Sequence, residues 1–357
     1  MPPAFPPPPP RPGHEFAISI VITNRDYAAY LPAALGSALE QRGAIVEVIV
    51  VDDGSTDDSR EIIARHGDRV QALQLEGRGQ KAAFNAGFAV AAGDAVLFLD
   101  ADDELRPGAA AAVADAFARK PGAARVVFRL EVISAGGRPI GGCVPSAGTP
   151  LASGDVRRTV LAFPDDLAWP PTSGNAFAAW ALRRVMPLPV DDEPTGADSC
   201  LHPLIGLLGP VVALDEIHGA YRLHGANAHA RDGFDVERSR TILRRAPRAH
   251  ARIGELAREL GLGPAQPRSV TIAAHRLVSL RLGGPGHPIC GDTRRRALGA
   301  GLRAASGRFD VAPSRRASYA AWFALAAVAP RPVARRLAQA FLQPLRPGSV
   351  ARRMSRS

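Results

Sequence analysis

The first half of the chain alternates short β-branched runs with helical stripes. Phe16–Thr23 (FAISIVIT) reads as a strand. Leu31, Ala34, Leu35, Ala38 and Leu39 share one face at helical spacing and predict a helix within Tyr30–Gln41. Ile45–Val51 (IVEVIVV) is a second buried strand. It stops at Asp52-Asp53-Gly54-Ser55-Thr56, and Asp57, Asp58 and Ser59 suit the start of a helix through Ala64. Val70–Leu75 is a third strand, and Lys81–Ala92 a helix of small residues ended by Gly93. Ala95–Leu99 (AVLFL) is a fourth strand that runs into Asp100. Pro107 opens a helix through Arg119, and Arg125–Ile133 is a fifth strand. Such alternation over short links predicts an α/β fold with a doubly wound, mostly parallel sheet.

The pattern then loosens. Residues 134–195 are rich in Gly and Pro, with a strand candidate at Ala176–Ala179. Ala197–Leu208 predicts a helix carrying Asp198 in its first turn, followed by strand candidates Val211–Leu214 and His218–Leu223. Beyond residue 236 the pattern is helical and Arg-rich. Three regions are expected: a disordered Pro-rich lead (1–14), an α/β domain (15–236) and a basic helical C-terminal region (237–357).

Composition sharpens this division. The 357 residues are 46% hydrophobic and 22% charged, which excludes collagen-like, coiled-coil and disulfide-scaffold classes. The net charge of +10 is unevenly spread: residues 240–357 hold 23 Arg against four acids, whereas the preceding part is net acidic. Three dispersed cysteines, Cys143, Cys200 and Cys290, point to a reducing compartment, and a cytoplasmic location is expected. The lead has eight prolines in its first twelve residues and no apolar core, so no signal peptide is expected. No apolar run approaches the roughly 18 residues of a spanning helix.

Chemistry gathers where strands end. Phe98-Leu99-Asp100-Ala101-Asp102-Asp103 delivers carboxylates spaced D-x-D to a strand exit. Oxygen ligands in a cleft suit Mg²⁺ or Mn²⁺ on a diphosphate; an acidic turn capping the next helix is the bland alternative. Asp52 and Asp53 end the second strand and suit hydrogen bonds from a base or ribose, or an N-cap and turn. Thr23-Asn24-Arg25-Asp26 ends the first strand. Open parallel sheets bind ligands at this edge.

The order TN, VDDGSTD, GQKAAFNAG and FLDADD resembles glycosyltransferase family 2, the nucleotide-sugar-dependent, inverting enzymes of GT-A fold, over about residues 16–228. The resemblance implies donor contacts at Thr23, Asn24, Asp53 and Asp100, with a UDP-sugar as donor and a glycan or lipid-linked hydroxyl as acceptor. It implies that Asp102 holds the metal and that Gln80-Lys81 lines the donor pocket. For Lys81, a phosphate contact stands beside a solvated reading, which is preferred. Gly196-Ala197-Asp198-Ser199 resembles the segment supplying the catalytic base, so Asp198 is the candidate, ahead of Asp191, Asp192 and Glu193. Tyr221-Arg222-Leu223-His224 resembles a segment in which His224 completes the metal shell or meets diphosphate; His218 and His229 are read as structural. Trp169–Asn175 resembles an acceptor-side loop, with Trp169 as a sugar-stacking wall or a core residue. The segment of processive synthases, Q-x-x-R-W, is missing, which implies addition of one or a few sugars, in surface polysaccharide or glycoconjugate assembly.

Ala317–Ala329 contains Tyr319, Trp322 and Phe323 and is followed by Arg331, Arg335 and Arg336. It suits a membrane interface with arginines on lipid phosphates, hence peripheral attachment at the inner face; a packed helical subdomain is the alternative. No nucleic acid is expected, because aromatics and charges are not interleaved. Two other classes match the sequence less well. A haloacid dehalogenase-type phosphatase would carry Thr or Val where Glu104 stands, and a non-catalytic binder of anionic surfaces would need neither Asp102 nor Asp198.

Overall fold

The computed structural model describes residues 15–190, 196–224 and 235–342. The chain forms two compact units. One comprises residues 1–157 and 168–224, the other 158–167 and 225–357. The division after His224 precedes the expected boundary at 236, and a short internal segment joins the second unit.

The first unit is built on β1 (Ala17–Asn24), β2 (Ile45–Asp53), β3 (Gln71–Leu75), β4 (Ala95–Asp100), β5 (Glu104–Leu105), β6 (Arg125–Ser134), β7 (Pro139–Val144), β8 (Asn175–Ala178) and β9 (Val211–Leu223). Between them run α1 (Leu31–Leu39), α2 (Ser59–Ala64), α3 (Gln80–Val90), α4 (Ala109–Arg119), α6 (Ala179–Val185) and α7 (Ala197–Leu208), whereas α5 (Arg157–Ala162) belongs, from residue 158 on, to the second unit. The nine-stranded sheet has the order β3-β2-β1-β4-β8-β6-β9-β5, with β7 on β6. The pairs β3–β2, β2–β1 and β1–β4 are parallel. Strand β8 then enters antiparallel to both β4 and β6, and β6 pairs parallel with β9. The sheet is therefore mixed, with its parallel half where the sequence alternates most regularly.

Continuous apolar runs form β1 and β4 because both faces are covered. Ile20, Val21, Ile22, Leu97, Phe98 and Leu99 are all fully buried. On α1 the predicted stripe Leu31, Ala34, Leu35 and Ala38 faces the core. Phe84 of α3 stacks on Phe98 of β4 at 3.9 Å between ring centroids, tying a helix face to the centre of the sheet. The two expected strands after α7 are one, β9, whose pairing with β6 is irregular around Phe128–Leu130. Strands β5 and β7 were not foreseen: two residues show no period, and PIGGCV reads as a turn.

The second unit holds α8 (Val236–Glu259), α9 (Val270–Leu282), α10 (Arg294–Gly307), α11 (Pro313–Val328) and α12 (Arg331–Leu342). Asp166 belongs to it because its carboxylate accepts from the backbone N–H groups of Val270 and Thr271, each at 2.8 Å, at the start of α9. The aromatic patch expected at a membrane surface is instead largely interior. Phe323 is fully buried, Trp322 stacks on Phe341 at 4.5 Å, and its Nε1 donates to Leu337 O at 3.1 Å. The aromatics turn inward because small residues such as Ala297, Ala304 and Ala305 leave room for them. Leu325, Val328 and Val333, toward the α11–α12 turn, are exposed, as are Leu302 and Phe309 elsewhere in this unit. No helix among the described residues is long and apolar enough to cross a membrane.

Candidate active site

Three neighbouring strands end in step. The register sets Thr23 between Val51 and Asp100, and Asn24 beside Asp52. Polar residues that follow each apolar run therefore emerge side by side at one edge.

At the exit of β2 the carboxylates are fully engaged. Asp52 is buried and accepts from Asn24 Nδ2 at 2.9 Å, Ser55 N at 3.1 Å and Arg60 Nε at 3.3 Å, and also from the Ser55 hydroxyl. Burial pushes its pKa up, but these donors outweigh burial and hold it below the usual carboxylate range. Asp53 accepts from the backbone N–H groups of Arg78 at 2.7 Å and Gly79 at 2.6 Å. It pins the loop that leads into α3. Gly54 has φ +78°, and a Cβ there would lie 2.7 Å from Gly77 N, so the approach of the two loops requires glycine.

At the exit of β4 the carboxylates crowd one another. Burial, and then the charges of Asp102 and Asp198, push Asp100 up to about 8, against a hydrogen bond from Gln80. Burial and the charges of Asp102 and Asp100 also push Asp103 well above the ordinary range. Asp103 accepts from Ser173 Oγ at 2.7 Å and Arg222 N at 3.0 Å. Arg222 Nε donates to Asp102 O at 2.8 Å, and its Nη2 pairs with Glu104. That buried arginine thus holds the backbone after the D-x-D from three sides.

His224, just past β9, lies with its Nε2 2.9 Å from Asp102 Oδ2. Its ring is flanked by Tyr30 at 4.7 Å and Tyr27 at 5.7 Å between centroids. The Tyr27 hydroxyl is pushed up to about 12, by burial first and then by Asp102, Asp100 and Asp103. Among the described residues, no group of three or more His, Cys, Asp or Glu forms a ready-made metal site. Asp102 and His224 are close enough to share an ion, and the surrounding excess of carboxylates favours a cation. That two-ligand set fits a divalent ion completed by substrate phosphates and water, the usual manner of Mg²⁺.

Asp198 is in the first turn of α7, and its charge acts on both Asp100 and the buried Arg125. Arg125 lies over Trp169 at 4.2 Å and donates through Nε to Asn175 at 3.0 Å. One face of Trp169 is thereby covered, which favours its core reading. His218 sits edge-on to Phe128 at 5.8 Å, a packing role. Lys81 is 6% exposed, so its preferred solvated reading is corrected: the first turn of α3 faces inward. Asp191, Asp192, Glu193 and His229 lie outside the described residues. Sequence reasoning did not single out Arg222 as a strut, nor Tyr27 and Tyr30 as flanks of His224. Their spacing of three, just past a strand exit, was the available signal.

A family model described as glycosyl transferase family 2 matches residues 19–141. An uncharacterized glycosyltransferase of Nostoc sp. is 35% identical over 216 residues, covering 59% of this chain and 66% of that protein. The succinoglycan biosynthesis protein ExoO of Rhizobium meliloti is 36% identical over 125 residues, covering 34% of this chain and 36% of its own length. The chain thus spans just under two thirds of the first relative and about a third of the second. The crystal structure of S. aureus TarS 1-349 in complex with UDP-GlcNAc superposes with a TM-score of 0.51 at 15% identity, covering 87% of each chain. At that identity the likeness speaks to the fold, which is GT-A-like α/β. The stretch matched by the family model contains the exits of β1, β2 and β4, and residues 19–141 carry a glycosyl transferase family 2 domain.

Proposed function

We propose that the protein is an inverting glycosyltransferase that moves a sugar from a nucleoside diphosphate donor, preferably a UDP-sugar, to a hydroxyl on a glycan or lipid-linked acceptor. The observation that carries this reading is that Gln80 bonds both Asp100 Oδ1 at the exit of β4 and Ala197 N beside Asp198, while Asp102 Oδ2 meets His224 Nε2 at 2.9 Å just past the same strand end. The acids assigned to donor, diphosphate and base therefore share one cleft edge. Thr23, Asn24, Asp53 and Asp100 serve the nucleoside side, Asn24 and Asp53 through the loops they hold. Asp198 takes the acceptor proton as its oxygen attacks the anomeric carbon; the bond to diphosphate breaks on the opposite face. Asp102 and His224 would hold a Mg²⁺ or Mn²⁺ ion, which when bound supplies charge neutralisation to the diphosphate leaving group. Burial of Lys81 beside the donor loop supports a phosphate contact. The expected setting is surface polysaccharide or glycoconjugate assembly in the cytoplasm.

The test is nucleoside diphosphate release from a nucleotide-sugar panel with and without Mn²⁺. Release only with ion and acceptor supports transfer. Hydrolysis of a phosphomonoester alone would make it a phosphatase, and no turnover with anion binding a binder.

The second unit favours an anionic membrane surface as partner. Between residues 311 and 342 the chain has five arginines and no acid. Val328 is 79% exposed and Leu325 53%, beside the exposed Arg331, Arg335 and Arg336. Exposed apolar side chains in an Arg-rich, acid-free stretch match an anionic bilayer, each arginine contributing about 1 kcal/mol near its surface. Sedimentation with phosphatidylserine vesicles at low salt, lost at high salt and in a Leu325→Ser/Val328→Ser variant, is the expected result. Vesicle binding unchanged in that variant would remove Leu325 and Val328 from the contact.

A further inference from the structure

We propose that Gln80 is a positioning residue whose single side-chain amide sets the spacing between the donor carboxylate Asp100 and the helix that carries the base Asp198. The inference rests on the assignment of Asp198 as base. Gln80 Nε2 donates to Asp100 Oδ1 at 3.1 Å, and Gln80 Oε1 accepts from Ala197 N at 3.1 Å. One amide thus joins residues at the exit of β4 and the first turn of α7, which are far apart in sequence.

The chemistry of the two partners dictates the residue type. A carboxylate oxygen needs a donor, and a backbone N–H needs an acceptor. An amide offers both at once, and the two partners fix which end is oxygen. Glutamate at this position would keep the bond to Ala197 but set a further carboxylate against Asp100, which already carries the repulsion of Asp102 and Asp198. Lysine would serve Asp100 and leave the Ala197 N–H without its acceptor.

Both ends of the bridge are held. Gln80 follows Gly79, whose N–H is fixed 2.6 Å from Asp53 Oδ2, so the start of α3 is anchored to the exit of β2. On the other side a Cβ added at Gly196 would lie 2.6 Å from Asp198 Oδ1 and 3.7 Å from Gln80 Oε1. Gly196 has an ordinary φ of −55°, so glycine is required there for space and not for backbone freedom. The base carboxylate and the amide therefore close over Gly196 from two directions. A misplacement near 1 Å at a reacting group costs about a hundredfold in rate, so the bridge acts on turnover more than on donor affinity.

The experiment compares Gln80→Ala, Gln80→Glu, Asp198→Asn and the double variant Gln80→Ala/Asp198→Asn in the full chain. Turnover, the dissociation constant for UDP with Mn²⁺, and the melting temperature are measured for each. Expected for Gln80→Ala is a ten- to hundredfold fall in turnover, well beyond the accompanying change in UDP affinity, with the protein still folded at the assay temperature. Gln80→Glu should fall at least as far. The double variant should turn over no more slowly than Asp198→Asn, because the amide acts through that carboxylate. Turnover of Gln80→Ala near that of the parent, with Asp198→Asn inactive, overturns the bridge and leaves the base assignment standing. So does a parallel loss of UDP affinity, melting temperature and turnover, which is a purely structural effect. An active Asp198→Asn overturns the base assignment itself, and the bridge with it.

Discussion

Asp52 and Asp53 leave β2 at the same edge where Asp100, Asp102 and Asp103 leave β4, with only β1 between them. The residue type is the same and the strand exits are equivalent, yet the two groups do different things. Asp52 and Asp53 are met by donors from Asn24, Ser55, Arg60, Arg78 and Gly79. These bonds fasten the β1–α1, β2–α2 and β3–α3 loops to one another. Asp100 and Asp103 are instead pushed toward protonation by burial and by their neighbours. A carboxylate met by enough donors stays ionised and ties loops together; one crowded by other carboxylates favours a proton or, on the proposed reading, a cation nearby. The resemblance implied donor contacts at Asp53 and Asp100 alike.

The sharpest way to break this comparison is Asp102→Ala. Asp102 touches His224 and repels both Asp100 and Asp103. Its removal should abolish transfer and Mn²⁺-dependent UDP binding while the melting temperature holds or rises, since repulsion is relieved. Calorimetry with UDP and Mn²⁺ checks the first part. Binding that survives at parental strength would move the ion away from this edge.

Asp198→Asn comes next. The substitution keeps shape and removes the basic electron pair, so turnover should fall roughly 10²–10⁴-fold with donor binding retained. Turnover within about threefold of the parent would place the base elsewhere, first among Asp191, Asp192 and Glu193.

How much of this was legible follows from what a local pattern can carry. The parallel strands were readable because a buried strand is apolar throughout and its exit is marked by the first polar residue. Helix α7 was readable to its ends because Gly196 and Gly209 flank the helical stretch Ala197–Leu208. The inward turn of Trp322 and Phe323 was not, since an aromatic stripe looks the same facing lipid or facing Ala304. The division of labour between Asp53 and Asp100 was equally hidden. It depends on Arg78, Gly79 and Asp198, which only the tertiary fold brings to those carboxylates. Lys81 was misread because lysine is rarely buried, and nothing local announces that the first turn of α3 faces inward.

Asp52→Asn tests the satisfied group by stability. The variant loses the charge on the bonds from Arg60 and Asn24 and sets an amide against a donor, costing about 2 kcal/mol at pH 7. The sign with pH follows from its lowered pKa. The carboxylate contributes fully above its unfolded value, and the contribution fades as pH falls through the folded value. Urea midpoints of parent and variant should therefore converge toward pH 3. A gap that persists at low pH would assign the cost to packing.

Asp103→Asn is the smallest effect and has the opposite sign. Burial, Asp102 and Asp100 raise the Asp103 pKa, so its contribution is complete below the unfolded value near pH 4 and is lost as pH rises through the folded one. In EDTA the parent should lose stability between pH 5 and pH 8.5, where Asp52 predicts no loss. Asparagine has the shape of the protonated acid and cannot ionise, while its Oδ1 still accepts from Ser173 Oγ or Arg222 N. The variant should match the parent at pH 5 and exceed it at pH 8.5, giving a flatter curve. Mn²⁺ with UDP should flatten the parent's curve in the same way, because a cation at Asp102 removes part of the repulsion that Asp103 feels. Melting curves across this pH range, with and without ion, read both effects. A parent slope that Asp103→Asn leaves unchanged would mean that Asp103 is not among the crowded carboxylates, and the contrast with Asp52 would narrow to Asp100 alone.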